Sequence, residues 1–292
     1  MPDRQTFIDT CLVALLRALS FIPLCGLYGI STLLSWLLFN GFHFQRKLVI
    51  NNLRHAFPDL NAQAIKKIAR KTYQHHLDII VELIKTQHYD KKTFLQHISI
   101  DNAETLNRYL QKKTPVLLVT AHAGNWEWMQ MACAATFNPA PAVIYKKSNH
   151  PVLDQWLYQL RQRFGSQLIA TTEVSRQLRK GGWIAMAADL GPRLEETRIW
   201  LDFMGMDTAF YSGLSRIAAI NGSVILYAHM LRTRRGHYQL HFEEIARPGA
   251  QLSDEQLMKR YIQALEEDIH KQPADWLWFY KRWKHTRPDS SL

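Results

Sequence analysis

From residue 97 onward the chain alternates short apolar runs with amphipathic ones, and few folds accommodate that rhythm. Strands are expected near 97–101, 115–120, 141–146, 167–170, 183–188, 223–230 and 237–245. Helices are expected between them at about 102–112, 126–136, 150–164, 173–180 and 210–221, with a further one at about 253–271. Short apolar runs bounded by turn residues suit strands, and apolar positions three and four apart suit helices. Strands alternating with helices give an α/β architecture, a central mixed, largely parallel sheet flanked by helices. In such folds functional groups gather in loops at the carboxyl ends of the strands.

Upstream of the alternation the chain is different. No charged side chain occurs from Ala18 to Phe42. That run is long enough to cross a hydrocarbon core of about 30 Å. It is too long for the core of a signal peptide and lacks a clear small-residue cleavage site. Pro23, Gly26 and Gly29 allow a second arrangement, a kinked pair of helices lying in the membrane interface. A third is the buried helix of a soluble core. Arg46, Lys47 and Arg54 follow, which by the positive-inside tendency places the rest of the chain in the cytoplasm. Residues 1–45 are therefore expected to anchor the chain and 46–292 to carry its chemistry. Within the latter, apolar spacing predicts a helix ending at Pro58 and a long one, capped by Asn61, running to about Lys85. His75 and His76 are adjacent on that helix and point different ways, so they are read as part of a solvated face rather than a metal pair.

Charge narrows the partners. With 36 Lys and Arg against 25 Asp and Glu, the formal net charge is +11, which favours nucleic acid, an anionic membrane surface or an acidic carrier protein. No nucleic-acid recognition motif accompanies it. Cys11, Cys25 and Cys133 have no metal-ligand spacing and are read as reduced, buried thiols, with no structural metal and no disulfide. There is no Gly-x-Ser-x-Gly elbow, no phosphate-binding Gly-x-x-x-x-Gly-Lys loop, no Gly-x-Gly-x-x-Gly and no His-Glu-x-x-His. Covalent serine chemistry, nucleotide hydrolysis and zinc hydrolysis all lose support.

The stretch Pro115-Val-Leu-Leu-Val-Thr-Ala-His-Ala-Gly-Asn-Trp-Glu127 carries the chemistry that remains. A strand ends and delivers His122 into a loop, Gly124 turns the backbone, and Asn125 caps the next helix. Glu127 then sits in the first helical turn, where the helix dipole favours its ionised form. His122 is the candidate general base for a substrate hydroxyl, and Glu127 the acid that fixes its tautomer and stabilises the imidazolium. Two further loops follow strands, Tyr145-Lys-Lys-Ser-Asn-His-Pro151 and Asp189-Leu-Gly-Pro-Arg193. Arg161 and Arg163 close the helix after the first; spacing alone reads them as a solvated helix end. The tail Pro273–Pro288 interleaves tryptophans with basic residues, which suits a phosphorylated lipid headgroup region or an anionic strand of nucleic acid; Trp276, Leu277 and Tyr280 at helical spacing also suit a core.

At His122-Ala-Gly-Asn-Trp-Glu127 the chain resembles the bacterial lipid A biosynthesis acyltransferases, the late lauroyl and myristoyl transferases, whose fold is glycerolipid acyltransferase-like. The apolar leader, Asn52-Leu-Arg-His-Ala-Phe-Pro58, Asn149-His-Pro151 with the Arg161/Arg163 helix, Asp189-Leu-Gly-Pro-Arg193 and the tryptophan-rich tail are similar too. The resemblance implies fatty acyl transfer from acyl carrier protein to a hydroxyl of an anionic lipid A precursor at the bacterial inner membrane, with no cofactor beyond that acyl donor. It implies His122 as base and Glu127 as its acidic partner. Arg161, or else Arg163, falls at the place of an arginine serving the oxyanion or the acceptor phosphate. Asn125, Trp126, Lys146, Asp189 and Arg193 complete the expected substrate contacts. Tyr145-Lys-Lys147 stands where the family has Tyr-Arg-Pro, and the segment after Arg193 is unusually charged. Both departures bear on the acceptor, so another glycolipid or a lysophospholipid is the alternative. A non-catalytic protein that binds anionic lipid is the reading from another class.

Overall fold

Two helices, α1 (Arg4–Leu19) and α2 (Leu24–Trp36), open the computed structural model, which describes residues 4–145, 147, 149–192, 197–285 and 287. A turn of π-helix, Leu37–Gly41, continues α2. Helices α3 (Arg46–Ala56) and α4 (Ala62–Lys85) come next, and Asn61 accepts from the Ala64 amide to cap α4. There follow α5 (Lys91–Leu95), β1 (Ile98–Ile100), α6 (Ala103–Gln111), β2 (Val116–Thr120), α7 (Trp126–Thr136), β3 (Ala142–Ile144) and α8 (Pro151–Arg161). Then come β4 (Gln167–Ile169), α9 (Val174–Arg179), β5 (Trp183–Ala187), β6 (Arg198–Phe203) and β7 (Met206–Tyr211). Helix α10 (Leu214–Asn221), β8 (Val224–Arg234), β9 (His237–Ala246) and α11 (Asp254–Lys271) complete the order.

Seven strands form one sheet in the order β1-β9-β8-β2-β5-β3-β4, and every neighbouring pair is parallel except β8 with β9. All seven expected strands are present, and the sheet is mixed and largely parallel as expected. Strand β2, at the centre, reads Val-Leu-Leu-Val-Thr with no polar alternation because helices cover both of its faces. Leu117 and Val119 enter one core, with Ile65 and Tyr73 of α4 and Leu265 and Ile269 of α11. Val116 and Leu118 enter the other, with Trp128, Met131 and Ala132 of α7. At about 1.5–3 kcal/mol for each such side chain, this double burial fixes where β2 ends and so where His122 emerges.

Two features depart from expectation. Residues 198–211 form an antiparallel hairpin, β6–β7, where the sequence suggested a charged segment running into a helix from 210. Its charged residues face outward along the pair, Asp202 opposite Asp207, while Phe203 and Phe210 enter the core. Met204 and Gly205, both at positive φ, make the tight turn that twisted hairpins require. The uncharged leader is the second departure. It breaks at Ser20–Pro23, where Lys85 Nζ donates to the carbonyls of Ser20 and Ile22, and its outer surface is exposed. Leu24–Gly41 is long and apolar enough to cross a membrane, but only 22 % of it is buried. Most of that window is thus at least partly exposed, and Cys11 and Cys25, which were expected to be buried, are exposed, whereas Cys133 is buried.

Candidate active site

Strand β2 ends at Thr120, and its neighbour β5 pairs with it in register, Thr120 opposite Ala187. Two residues further along each strand stand His122 and Asp189. The shared register therefore brings this imidazole and this carboxylate face to face. His122 Nδ1 donates to Asp189 Oδ1 at 2.7 Å, and the His122 amide donates to Oδ2 at 3.1 Å. Trp276 Nε1 donates to the same Oδ2 at 2.9 Å, so the carboxylate is held from three directions and is fully buried. His122 Nε2 makes no hydrogen bond among the described residues, and the ring lines the cleft described below.

The loop that carries His122 is fixed along its length. Gly124 lies at φ +58, and a Cβ there would come within 1.9 Å of the Met230 carbonyl oxygen, so no other residue fits. Its amide donates to the Asp275 carbonyl at 3.1 Å, and its own carbonyl accepts from His75 Nε2 at 3.1 Å. Asn125 Oδ1 accepts from the Trp128 amide and caps α7, while Nδ2 donates to Glu82 Oε2 at 2.7 Å. Asn125 is buried by these two contacts, which corrects its expected place among the substrate contacts.

Glu127 does not orient the imidazole. Arg161 grips it instead, Nε donating to Oε2 at 2.8 Å and Nη2 to Oε1 at 2.5 Å. The correction has a geometric cause. Gly124 reverses the chain, so the first turn of α7 points Glu127 at the end of α8, and Asp189 reaches His122 from the adjacent strand. Asp189, expected to touch substrate, is sealed behind His122 and takes the orienting role expected of Glu127. Arg163 is corrected as well. Its Nε and Nη2 donate to the Tyr89 carbonyl, away from the cleft. Lys146 and Arg193 lie outside the described residues.

His122, Trp126, Glu127 and Arg161 do converge. They line a cleft of about 290 Å³ at the carboxyl ends of β2, β3 and β5, walled by Met129, Val143, Ile144, Leu168 and Met186. Trp126 meets the His122 ring edge to face at 5.3 Å between centroids. Tyr145 lies under the Arg161 guanidinium at 5.8 Å, and its hydroxyl donates to Asp154. The lining thus combines charged and polar groups, Thr120 and Gln130 among them, with apolar walls, which suits a chain with a polar head.

Electrostatics agree with this layout. Burial alone pushes the His122 imidazole down, but the charge and hydrogen bond of Asp189, helped by the Glu127 charge, hold it above its usual value. Burial pushes Asp189 up, and the His122 charge with the hydrogen bonds it receives holds it below the usual carboxylate range. The pair favours an ionised acid beside a basic imidazole, the state a general base needs.

Several residues around this site were read differently or not singled out in the sequence. Trp276 belongs to the tail read either as a headgroup contact or as core, and Trp276, Trp278 and Arg282 are all buried. Arg282 lies over the Phe210 ring at 4.3 Å, donates to the Ala209 carbonyl, and is pushed by burial to about 10. Among the described basic residues of that segment, Lys281, Lys284 and Arg287 are exposed. His75 and His76 are not a solvated face either. His75 is buried and accepts from Arg232 at 3.1 Å, and burial pushes both rings down to about 3. Glu82, not singled out in the sequence, is spaced along α4 with Asp78 and His75 on its inward face, and that spacing was the available signal. Among the described residues no group of three or more His, Cys, Asp or Glu is placed to hold a metal ion.

A family model described as bacterial lipid A biosynthesis acyltransferase matches residues 3–285. No curated protein matches the chain.

Proposed function

Because the chain belongs to the bacterial lipid A biosynthesis acyltransferase family, we propose that it moves a fatty acyl chain from acyl carrier protein to a hydroxyl of a lipid A precursor. The observation that carries the mechanism is the His122–Asp189 contact at an apolar-walled cleft. The acyl chain lies along the cleft walls, and the thioester carbonyl rests near His122 and Arg161. His122 Nε2 takes the proton of the acceptor hydroxyl. That oxygen bonds to the thioester carbonyl carbon, giving a tetrahedral oxyanion. Glu127 occupies Nε and Nη2 of Arg161, which leaves Nη1 to donate to the oxyanion. As the carbon–sulfur bond breaks, His122 returns its proton to the departing thiolate. Asp189 remains ionised throughout and stabilises the imidazolium.

This assignment gives Glu127 a different task from the one its spacing with His122 suggested. It holds a guanidinium at the reacting carbonyl, where an unpaired arginine would sample several rotamers. Trp126, beside the imidazole, shields the proton transfer from water. Attachment to the cytoplasmic face of the inner membrane follows from the substrate and the apolar leader.

Lipid extracts of a strain lacking this chain and of its parent, compared by mass spectrometry, test the function. A lipid A species lighter by one acyl group is expected in the deletion strain. A change confined to another glycolipid or to lysophospholipids would transfer the same chemistry to that acceptor, and unaltered lipids would contradict the proposal.

A further inference from the structure

The leader presents two faces of opposite character. Apart from Leu60 and Ile80, every large apolar residue that is exposed among those described lies between Phe7 and Phe44, at 38–75 % exposure. They include Phe7 and Leu15 on α1, Phe21 at the break, Leu33 and Trp36 on α2, and Phe42 just after the π turn. The inner face of α2 is polar and is joined to α4 along its length. Tyr28 donates to Glu82 at 2.7 Å, and Ser31 donates to Asp78 at 2.6 Å. Arg235 bridges Asp78 to the Tyr28 carbonyl, and its guanidinium lies over the Tyr28 ring at 4.2 Å. Further along, Phe39 packs edge to face on Tyr73.

That joint decides how the leader can meet a bilayer. A helix that crosses alone must satisfy its surroundings with hydrocarbon on every side. If α2 crossed, α4 would either follow it into the hydrocarbon with Asp78 and Glu82, or lose the partners of both carboxylates. Neither is needed if the outer face of α1 and α2 simply lies on lipid. The exposed basic residues select the lipid. Lys66, Lys67, Arg70 and Lys71 form one block on α4, beside the end of α2 where Trp36, Phe42 and Phe44 are exposed. Arg70 and Arg46 both lie over the Phe39 ring, at 5.5 and 5.4 Å. Aromatic rings next to exposed cations match the headgroup level of an anionic leaflet.

We propose that residues 4–44 attach this protein to one leaflet of an anionic bilayer, lying in its plane rather than crossing it. The inference rests on the acyltransferase reading only for the choice of membrane. It requires nothing of the His122 site. In-plane attachment brings the cleft and a lipid acceptor to the same interface and keeps both ends of the chain on one side.

The test is topology of the full chain carrying short protease-cleavable tags at both ends, in right-side-out and inside-out inner-membrane vesicles. Both tags are expected to be cut only in inside-out vesicles. Cleavage of the amino-terminal tag in right-side-out vesicles would overturn the proposal. A second measurement uses the purified chain and liposomes, either phosphatidylglycerol-rich or pure phosphatidylcholine. Binding is expected to prefer the anionic vesicles, to weaken with salt, and to fall at least about tenfold when Lys66, Lys67, Arg70 and Lys71 are all changed to Gln. Equal binding to both vesicles, or none lost in that variant, would remove the anionic leaflet from the account. Acyl transfer by the same variant in detergent micelles should be unchanged, which separates failure of attachment from failure of the enzymatic reading.

Discussion

At the scale of single residues the account turns on which carboxylate serves His122. Asp189 contacts the ring at 2.7 Å and raises its pKa, whereas Glu127 is engaged by Arg161. Changing Asp189 to Asn removes the charge that opposes desolvation, so the imidazole pKa falls. The acid limb of the kcat/KM profile then moves to lower pH, while kcat drops by roughly 10²–10⁴. Glu127→Gln leaves the Asp189 contact in place and frees Arg161. It should lower kcat by about 10²–10³ and move the acid limb less. The two pH profiles, measured side by side, decide the matter: a larger displacement in Glu127→Gln would make Glu127 the orienting acid. A third substitution tests the loop. Gly124→Ala places a methyl against the Met230 carbonyl in a left-handed backbone, and should cost at least about 2 kcal/mol in thermal unfolding.

At the scale of elements, α4 is the post to which the others are tied. Glu82 accepts from Tyr28 of α2, from Tyr238 of β9 and from Asn125, the cap of α7, all at 2.7 Å. One buried carboxylate thus connects α2 with the start of the helix that carries Glu127. Glu82→Ala leaves three buried polar groups without a partner and should cost about 3 kcal/mol, while Tyr28→Phe should cost about 1 kcal/mol. Burial, opposed by these three donors, pushes the Glu82 carboxyl from 4.5 up to about 7. A raised acid pKa means the folded state binds the extra proton. The stability it contributes is complete below about 4.5 and is lost as pH rises through about 7. Denaturant unfolding should therefore show a penalty for Glu82→Gln that shrinks as pH rises across this window. A penalty independent of pH would mean that Glu82 folds already ionised.

At the scale of the whole molecule, the strands and helices from residue 97 onward were legible because each is either apolar on both faces or apolar on one, and those periods survive in the sequence. The β6–β7 hairpin was not, since its outward Arg198, Asp202 and Asp207 looked like a solvated loop and its turn residue is Met204 rather than Asn or Asp. Within the site, His122 and the turn after it could be read from one contiguous stretch. Asp189 could be named but not placed, because its meeting with His122 depends on the register of β2 against β5, and no local pattern encodes register between strands distant in sequence. The tail misled for a related reason. Trp276 and Arg282 are polar-tipped side chains whose partners, Asp189 and Ala209, lie far away in the chain. What unites the molecule is an imidazole held by a buried acid, at the end of a fully covered strand, in a chain whose first two helices expose apolar side chains. Acyl transfer from acyl carrier protein to a lipid A precursor by folded His122→Gln, followed by mass spectrometry, tests that claim most directly. The account predicts a loss of at least about 10²-fold, with unfolding unchanged; transfer at the rate of the unaltered protein would contradict it.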